Sequence, residues 1–185
     1  HVKGLDEKNN FQLKNDINFS GLNNLFFLNK MKISEMIDKN NLVENYSVFK
    51  KYPSTLKISV NKTDFVAKLK QNNKNYILGS NGKLIETSDS KIDLPFIFGD
   101  FRVINFLELK KALDQTNFDY YKIKKLLFFK SGRWDIETKD GLLIKLPKKD
   151  LKSSLELFLN FLNQNKGIKL NKIDLRQHNQ IIINE

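Results

Sequence analysis

The chain contains no cysteine. Disulfides and thiolate metal sites are therefore excluded, while the compartment stays open, because a cysteine-free chain suits the cytosol and the periplasm alike. Histidine occurs twice, as His1 and His178. A metal centre needs several converging ligands, so one internal histidine without cysteine does not make one. No run of about 18 apolar residues is present, so no segment reads as a membrane span, and no signal peptide is visible. Arginine is scarce as well. Arg102, Arg133 and Arg176 are set among 32 basic residues that are otherwise lysine. Arginine is the preferred fork for phosphates and base edges. The net charge of +11, carried by scattered lysines, thus reads as an evenly basic, solvated surface. Attraction to an anionic membrane surface remains compatible with it. A lysine-driven nucleic-acid binder is the rival reading, and a steep salt dependence of DNA binding would mark it.

Catalytic groups are missing in the same way. The stretch "GSNG" lacks the Lys-Ser/Thr of a phosphate loop, and a turn explains it. Asp89 and Asp93 lie in a serine-rich loop and read as solvated acids. Trp134, next to Arg133, reads as a core side chain in a strand, with stacking on a base or sugar as the other option. No catalytic, cofactor-binding or metal-binding residue is assigned, which points to a non-enzyme.

What is present is a foldable chain of 185 residues, 40% hydrophobic and 29% charged. At this length roughly 70% of the unfolded surface can be buried, so one domain or two small ones need no staples. The opening "HVKG" reads like the end of a strand, with an upstream segment expected before it. Phe11, Leu13 and Ile17 suit a helix beginning near Asp6. "LFFL" (Leu25 to Leu28) reads as a short buried run. Met31, Ile33, Met36 and Ile37 fall near helical spacing. Leu56, Ile58 and Val60 then alternate with Lys57, Ser59 and Asn61, the period of a half-buried strand. Pro53 has no N–H for a ladder, so it separates this strand from the preceding "LVENYSVFKKY".

Further on, Asn81-Gly82 predicts a type I′ hairpin and Asp140-Gly141 a second tight one. "SDSKIDLPFIFGD" reads as a loop punctuated by Pro95 and Gly99. Apolar residues at 101, 104, 107, 109 and 113 predict a helix. Tyr120 to Phe129, Gly132 to Thr138 and Leu142 to Leu146 read as strands. Asp150 is placed to cap a helix carrying a stripe of Leu151, Leu155, Phe158, Leu159 and Leu162. "KIDLR" and "IIIN" read as closing strands. An apolar strand with nothing after it is expected at a sheet edge, a template for another chain.

These pieces carry a resemblance. "VKG" followed by two helices and "VFKKYPSTLKISV" resembles a POTRA domain of the kind in the bacterial FtsQ/DivIB cell-division family. "YILGSNGKLI", "LPFIFG", "RWDIETKDGLLIKLP" and "IDLR" (Ile173 to Arg176) resemble that family's later motifs, in order. The chain departs from the family where Leu42-Val43 lacks a tryptophan, where "NKTDFVA" lacks a proline, and where Ser80 replaces an aspartate.

The resemblance implies an α+β fold, a β-α-α-β-β POTRA domain over residues 1–69 and a mainly antiparallel β domain over 70–185. It further implies a non-enzymatic divisome scaffold, without cofactors. The scaffold would be the periplasmic part of a single-pass inner-membrane protein at the septum, recruiting FtsB-like and FtsL-like partners, with other divisome members at its POTRA domain, and linking them to septal peptidoglycan synthesis. The resemblance places partner binding at Arg133, Arg176, Gln177, His178, Asn179, Gln180, Ile181, Ile182 and Ile183. A POTRA module of an outer-membrane assembly or secretion system is the alternative, which the helix-bearing β domain disfavours.

Overall fold

The computed structural model describes residues 1–19, 30–88, 92–165, 167–168 and 170–184. The "LFFL" run and Asp89 lie outside the described residues. By contacts the chain forms two compact units, His1–Phe65 with Leu78–Ile85, and Val66–Ile77 with Glu86–Glu185.

The first unit follows the β-α-α-β-β order. It contains β1 (Val2–Lys3), α1 (Glu7–Phe19), α2 (Lys30–Asp38), β2 (Val43–Lys51) and β3 (Thr55–Lys62). Asp6 starts α1: its carboxylate accepts the Asn9 N–H at 3.0 Å, an N-cap bond. β3 is the central strand, with β1 parallel on one side and β2 antiparallel on the other. The alternation behaves as the sequence predicts: Ile58 and Val60 are buried, Lys57 and Asn61 exposed. Leu13 and Ile17 on α1, and Ile33 and Ile37 on α2, pack with Val2, Val43, Ile58 and Val60 in one core cluster. Each helix thus presents an i, i+4 pair to the sheet. Phe11 and Met31 fall off that stripe and are 63% and 67% exposed. Gly4 has φ +117°, and a Cβ there would stand 1.7 Å from the Val60 carbonyl oxygen. Only glycine lets β1 lie this close to β3, which is why the strand end reads "VKG".

The second sheet is built from β4 (Phe65–Gln71), β5 (Lys74–Gly79), β6 (Leu84–Glu86), β7 (Phe96–Phe98), β8 (Ile123–Phe128), β9 (Trp134–Thr138), β10 (Leu143–Lys145), β11 (Lys172–Asp174) and β12 (Ile182–Asn184). Their order is β12-β11-β10-β9-β8-β7-β4-β5-β6. The pairings of β8, β9 and β10 are antiparallel, while β7 runs parallel to both β4 and β8. Two helices, α3 (Val103–Asp114) and α4 (Leu151–Gln164), contact one another. They bury Phe106, Leu109 and Leu113, and Leu155 and Phe158, respectively. A single row of residues crosses seven strands on one face: Leu69, Ile97, Leu126, Ile136, Ile144, Ile173 and Ile183. The first six are buried, so this row is the spine of the core. Trp134 is buried as well, 4.7 Å from the Phe128 ring and 5.7 Å from that of Phe101.

Several local readings change. The "PFIFG" loop holds strand β7, whose three residues were too few to show a period. At the end of it Gly99 has φ +104°, and a Cβ there would meet the Phe128 carbonyl oxygen at 2.2 Å. Both Asn-Gly and Asp-Gly hairpins exist, but neither is type I′. Only Gly82 and Gly141 take positive φ in them, not Asn81 or Asp140. Gly82 N donates to Gly79 O, and Gly79 N to Lys83 O, both at 3.0 Å, the pattern of a three-residue loop with a glycine bulge. Asn81 is instead held by its side chain, which donates to Val43 O at 2.9 Å and accepts from Lys83 N at 2.9 Å. Tyr120–Lys122 is a 3₁₀ turn, not strand, because the Asp119 carboxylate takes the Tyr121 N–H at 3.1 Å. Asp150 precedes α4 but has φ +60° and makes no side-chain cap bond. The expected cap is therefore absent there.

Candidate functional site

Strand β12 is the outermost strand of the second sheet among the described residues. Its register places Ile183 across from Ile173, Ile182 across from Asp174 and Asn184 across from Lys172. Ile182 and Ile183 are 48% and 40% exposed. Ile181 is half-buried and lies just before the strand, not in it.

The direction of each backbone group follows from the neighbouring pair. Leu143 N donates to Asn171 O at 3.0 Å, and Leu175 N donates to Lys145 O at 2.9 Å. Backbone groups alternate sides along a strand, so Ile173 also turns toward β10, and Lys172 and Asp174 turn toward β12. Ile182 and Asn184 therefore hold the ladder. The N–H and C=O of Ile183 point away from the sheet.

The face opposite the apolar spine carries charge. Asp135, Lys145, Asp174 and Ile182 form one row across β9, β10, β11 and β12. Arg133, just before β9, and Arg176, just after β11, each lie two residues from an aspartate of this row and contact it. Arg176 grips Asp174 with two nitrogens: Nε donates to Oδ1 at 2.8 Å, and Nη2 donates to Oδ2. That hydrogen bond holds the Asp174 carboxyl below its usual value. Asp135 is only 2% exposed. Burial pushes its carboxyl up, against the pull of Arg133, Lys145 and Arg176. Arg133 Nε stands 3.6 Å from Asp135 Oδ1, and both atoms are buried without a hydrogen bond. At that distance the pair is electrostatic rather than hydrogen-bonded. The Arg133 guanidinium also lies over the Phe129 ring, 4.3 Å from its centroid.

The sequence-predicted residues thus separate into three groups. Arg133 and Arg176 belong to this charged row, and Asp135 feels both. Gln177, His178, Asn179 and Gln180 form an exposed turn, closed by Gln180 N donating to Gln177 O at 3.3 Å. Ile182 and Ile183 belong to the edge itself, with Ile181 just before it. Sequence reasoning missed Asp135, Lys145 and Asp174. The signal was available in "WDIET" and "IDLR", where alternation sets Asp135 beside Arg133 and Asp174 beside Arg176. Among the described residues no group of three or more acids or histidines is placed to hold a metal, and no helix is long and apolar enough to cross a membrane.

Residues 67–176 match the family described as cell division protein FtsQ/DivIB, C-terminal. Residues 1–62 match the POTRA domain, FtsQ-type. The chain is 24% identical over 171 residues to the cell division protein FtsQ of Bradyrhizobium diazoefficiens, covering 89% of this chain and 49% of that protein. It spans about half the length of that curated relative. Among solved structures, it resembles the major extracytoplasmic domain of the trans isomer of the cell division protein DivIB from Geobacillus stearothermophilus. The TM-score is 0.42 and the identity 14%, over 59% of this chain and 99% of that one.

Proposed function

The chain belongs to the FtsQ/DivIB family of cell-division proteins, and on that premise we propose that it is a non-enzymatic scaffold of the divisome. In this reading it is the periplasmic part of a single-pass inner-membrane protein at the septum. Its POTRA domain spans residues 1–69 and its partner-binding β domain 70–185. It recruits an FtsB-like partner, and through it an FtsL-like one.

The partner adds a strand beside β12. The observation that supports this is the outward N–H and C=O of Ile183 on an exposed outermost strand. Main-chain bonds give such a contact its register, and neighbouring side chains give it selectivity.

The test is calorimetric titration of an FtsB-like periplasmic segment into the wild-type chain and into Ile183→Pro. Clearly weaker binding by the second, with both variants folded and within about 1 kcal/mol in stability, supports strand addition at β12. Equal binding by both places the partner elsewhere.

A further inference from the structure

The three-stranded sheet of the first unit has a second face, turned away from its helices. Val2, Ile58 and Val60 face the core, so the residues between them face outward. The registers assign that face strand by strand. Lys3 pairs with Ser59, Lys57 with Phe49, and Thr55 with Lys51. Every other registered position on it, in β2 and β3, is serine or asparagine. No aspartate or glutamate occupies any of them. Lys3, Lys51, Lys57 and Phe49 are all exposed, the phenylalanine at 62%. Among the described residues the ammonium groups of these three lysines make no ion pair. A shallow open cavity of ≈ 360 Å³ sits on this face, lined by His1, Lys3, Phe49, Lys57, Ile58 and Ser59.

We propose that this POTRA sheet face docks onto an anionic phospholipid surface, with the Lys3–Lys57–Phe49 cavity receiving a lipid headgroup phosphate. Three features select a bilayer over an acidic chain. The face is a sheet surface whose lysines come from three strands, so it presents a plane of charge and not a groove for one segment. Serine and asparagine between the lysines leave room for headgroups and supply hydrogen bonds to phosphate oxygens. The exposed Phe49 adds an apolar contact at the boundary of headgroup and acyl chain, which a soluble acidic partner does not need. The proposal extends the membrane-anchored reading above, yet its test does not involve the strand partner.

The experiment is co-sedimentation of the 185-residue chain with vesicles of phosphatidylcholine, with and without phosphatidylglycerol. Two triple variants carry the same charge loss. One is Lys3→Gln, Lys51→Gln and Lys57→Gln; the other is Lys111→Gln, Lys130→Gln and Lys149→Gln, in the second unit. Thermal unfolding shows that each is folded. Lysines near an anionic surface each contribute about fivefold in affinity, so the first triple loses on the order of 100-fold. The second triple stays within a few-fold of wild type. Emission of Phe49→Trp shifts to the blue on the phosphatidylglycerol vesicles only. Equal loss in the two triples means that net charge does the work and overturns the proposal. So does binding that ignores phosphatidylglycerol, or an unshifted Phe49→Trp. Capture of polyglutamate without vesicle binding assigns the face to an acidic chain instead, and the lipid assignment fails.

Discussion

Ile183 stands directly across from Ile173 in the β11–β12 pair, yet Ile173 is fully buried and Ile183 is 40% exposed. The two residues continue one apolar row, and among the described residues no strand lies beyond the last. The backbone of Ile183 repeats the pattern, with its N–H and C=O aimed outward. Side chain and main chain therefore end unfinished at the same residue.

Proline separates the two backbone directions. Ile182→Pro removes a donor from the native ladder and is expected to lower stability by about 1–3 kcal/mol. Ile183→Pro removes an outward donor and is expected to cost the isolated chain at most about 1 kcal/mol. Urea unfolding of both variants checks this. The reverse ranking would show that the parity derived from the β10–β11 bonds is wrong.

Two glycines with similar backbone angles predict very different costs. Gly99 has φ +104°, and the Phe128 carbonyl oxygen lies 2.2 Å from where an alanine methyl would stand, whereas Gly141 has φ +92° and nothing within 4 Å of that point. Gly141→Ala is expected to cost about 1–2 kcal/mol, the strain of a positive φ. Gly99→Ala adds a collision with backbone and is expected to cost clearly more. Thermal unfolding of the pair settles the order.

The two aspartates of the charged row predict opposite responses to pH. Asp174 has its folded pKa lowered, first by the Arg176 hydrogen bond. It contributes stability above 3.8, its ordinary value, and that contribution is lost as pH falls through the folded value. Asp135 has its folded pKa raised, first by burial. Its folded form binds a proton more readily than the unfolded chain, so stability falls as pH rises from 3.8 through the folded value. Asp174→Asn is therefore expected to be destabilising near neutral pH and close to neutral in acid. Asp135→Asn is expected to remove the loss of stability on raising the pH. Denaturant midpoints measured across this range distinguish them, and parallel profiles would contradict the assignment.

Asn81 offers a test in the first unit. Its side-chain nitrogen donates to Asn41 O and Val43 O at 3.0 and 2.9 Å, and its oxygen takes the Lys83 N–H. Asn81→Ala leaves these backbone groups without it and is expected to cost about 1–3 kcal/mol. Asn81→Gly, chosen as if the turn were type I′, is expected to be no better. Urea midpoints of both variants check the point.

The strands that were legible in the sequence are those whose period could repeat. Leu56, Ile58 and Val60 give β3 its faces directly, and Trp134 to Thr138 give β9. Strand β7 was not legible, because Phe96–Phe98 offers one buried residue, Ile97, between Pro95 and Gly99. The turn types were missed because Asn81 and Thr138 act through side-chain bonds that no dipeptide rule contains. Thr138 Oγ1, for example, accepts the Leu142 N–H at 3.0 Å. The candidate edge was legible as the last apolar run. Alternation could set Asp135 and Asp174 beside Arg133 and Arg176, but the burial of Asp135 was not legible, because an aspartate in an alternating strand reads as wet.

Strand β12 is only three residues long, and within it one residue points its backbone outward. An incoming chain gains there one N–H and one C=O, roughly 1 kcal/mol each. Bringing two molecules together costs about 4–15 kcal/mol. Main-chain pairing at this edge can thus align a visitor but cannot hold it. In the strand-addition reading, a visitor aligned by Ile183 is therefore retained by the side chains around that edge and not by its backbone.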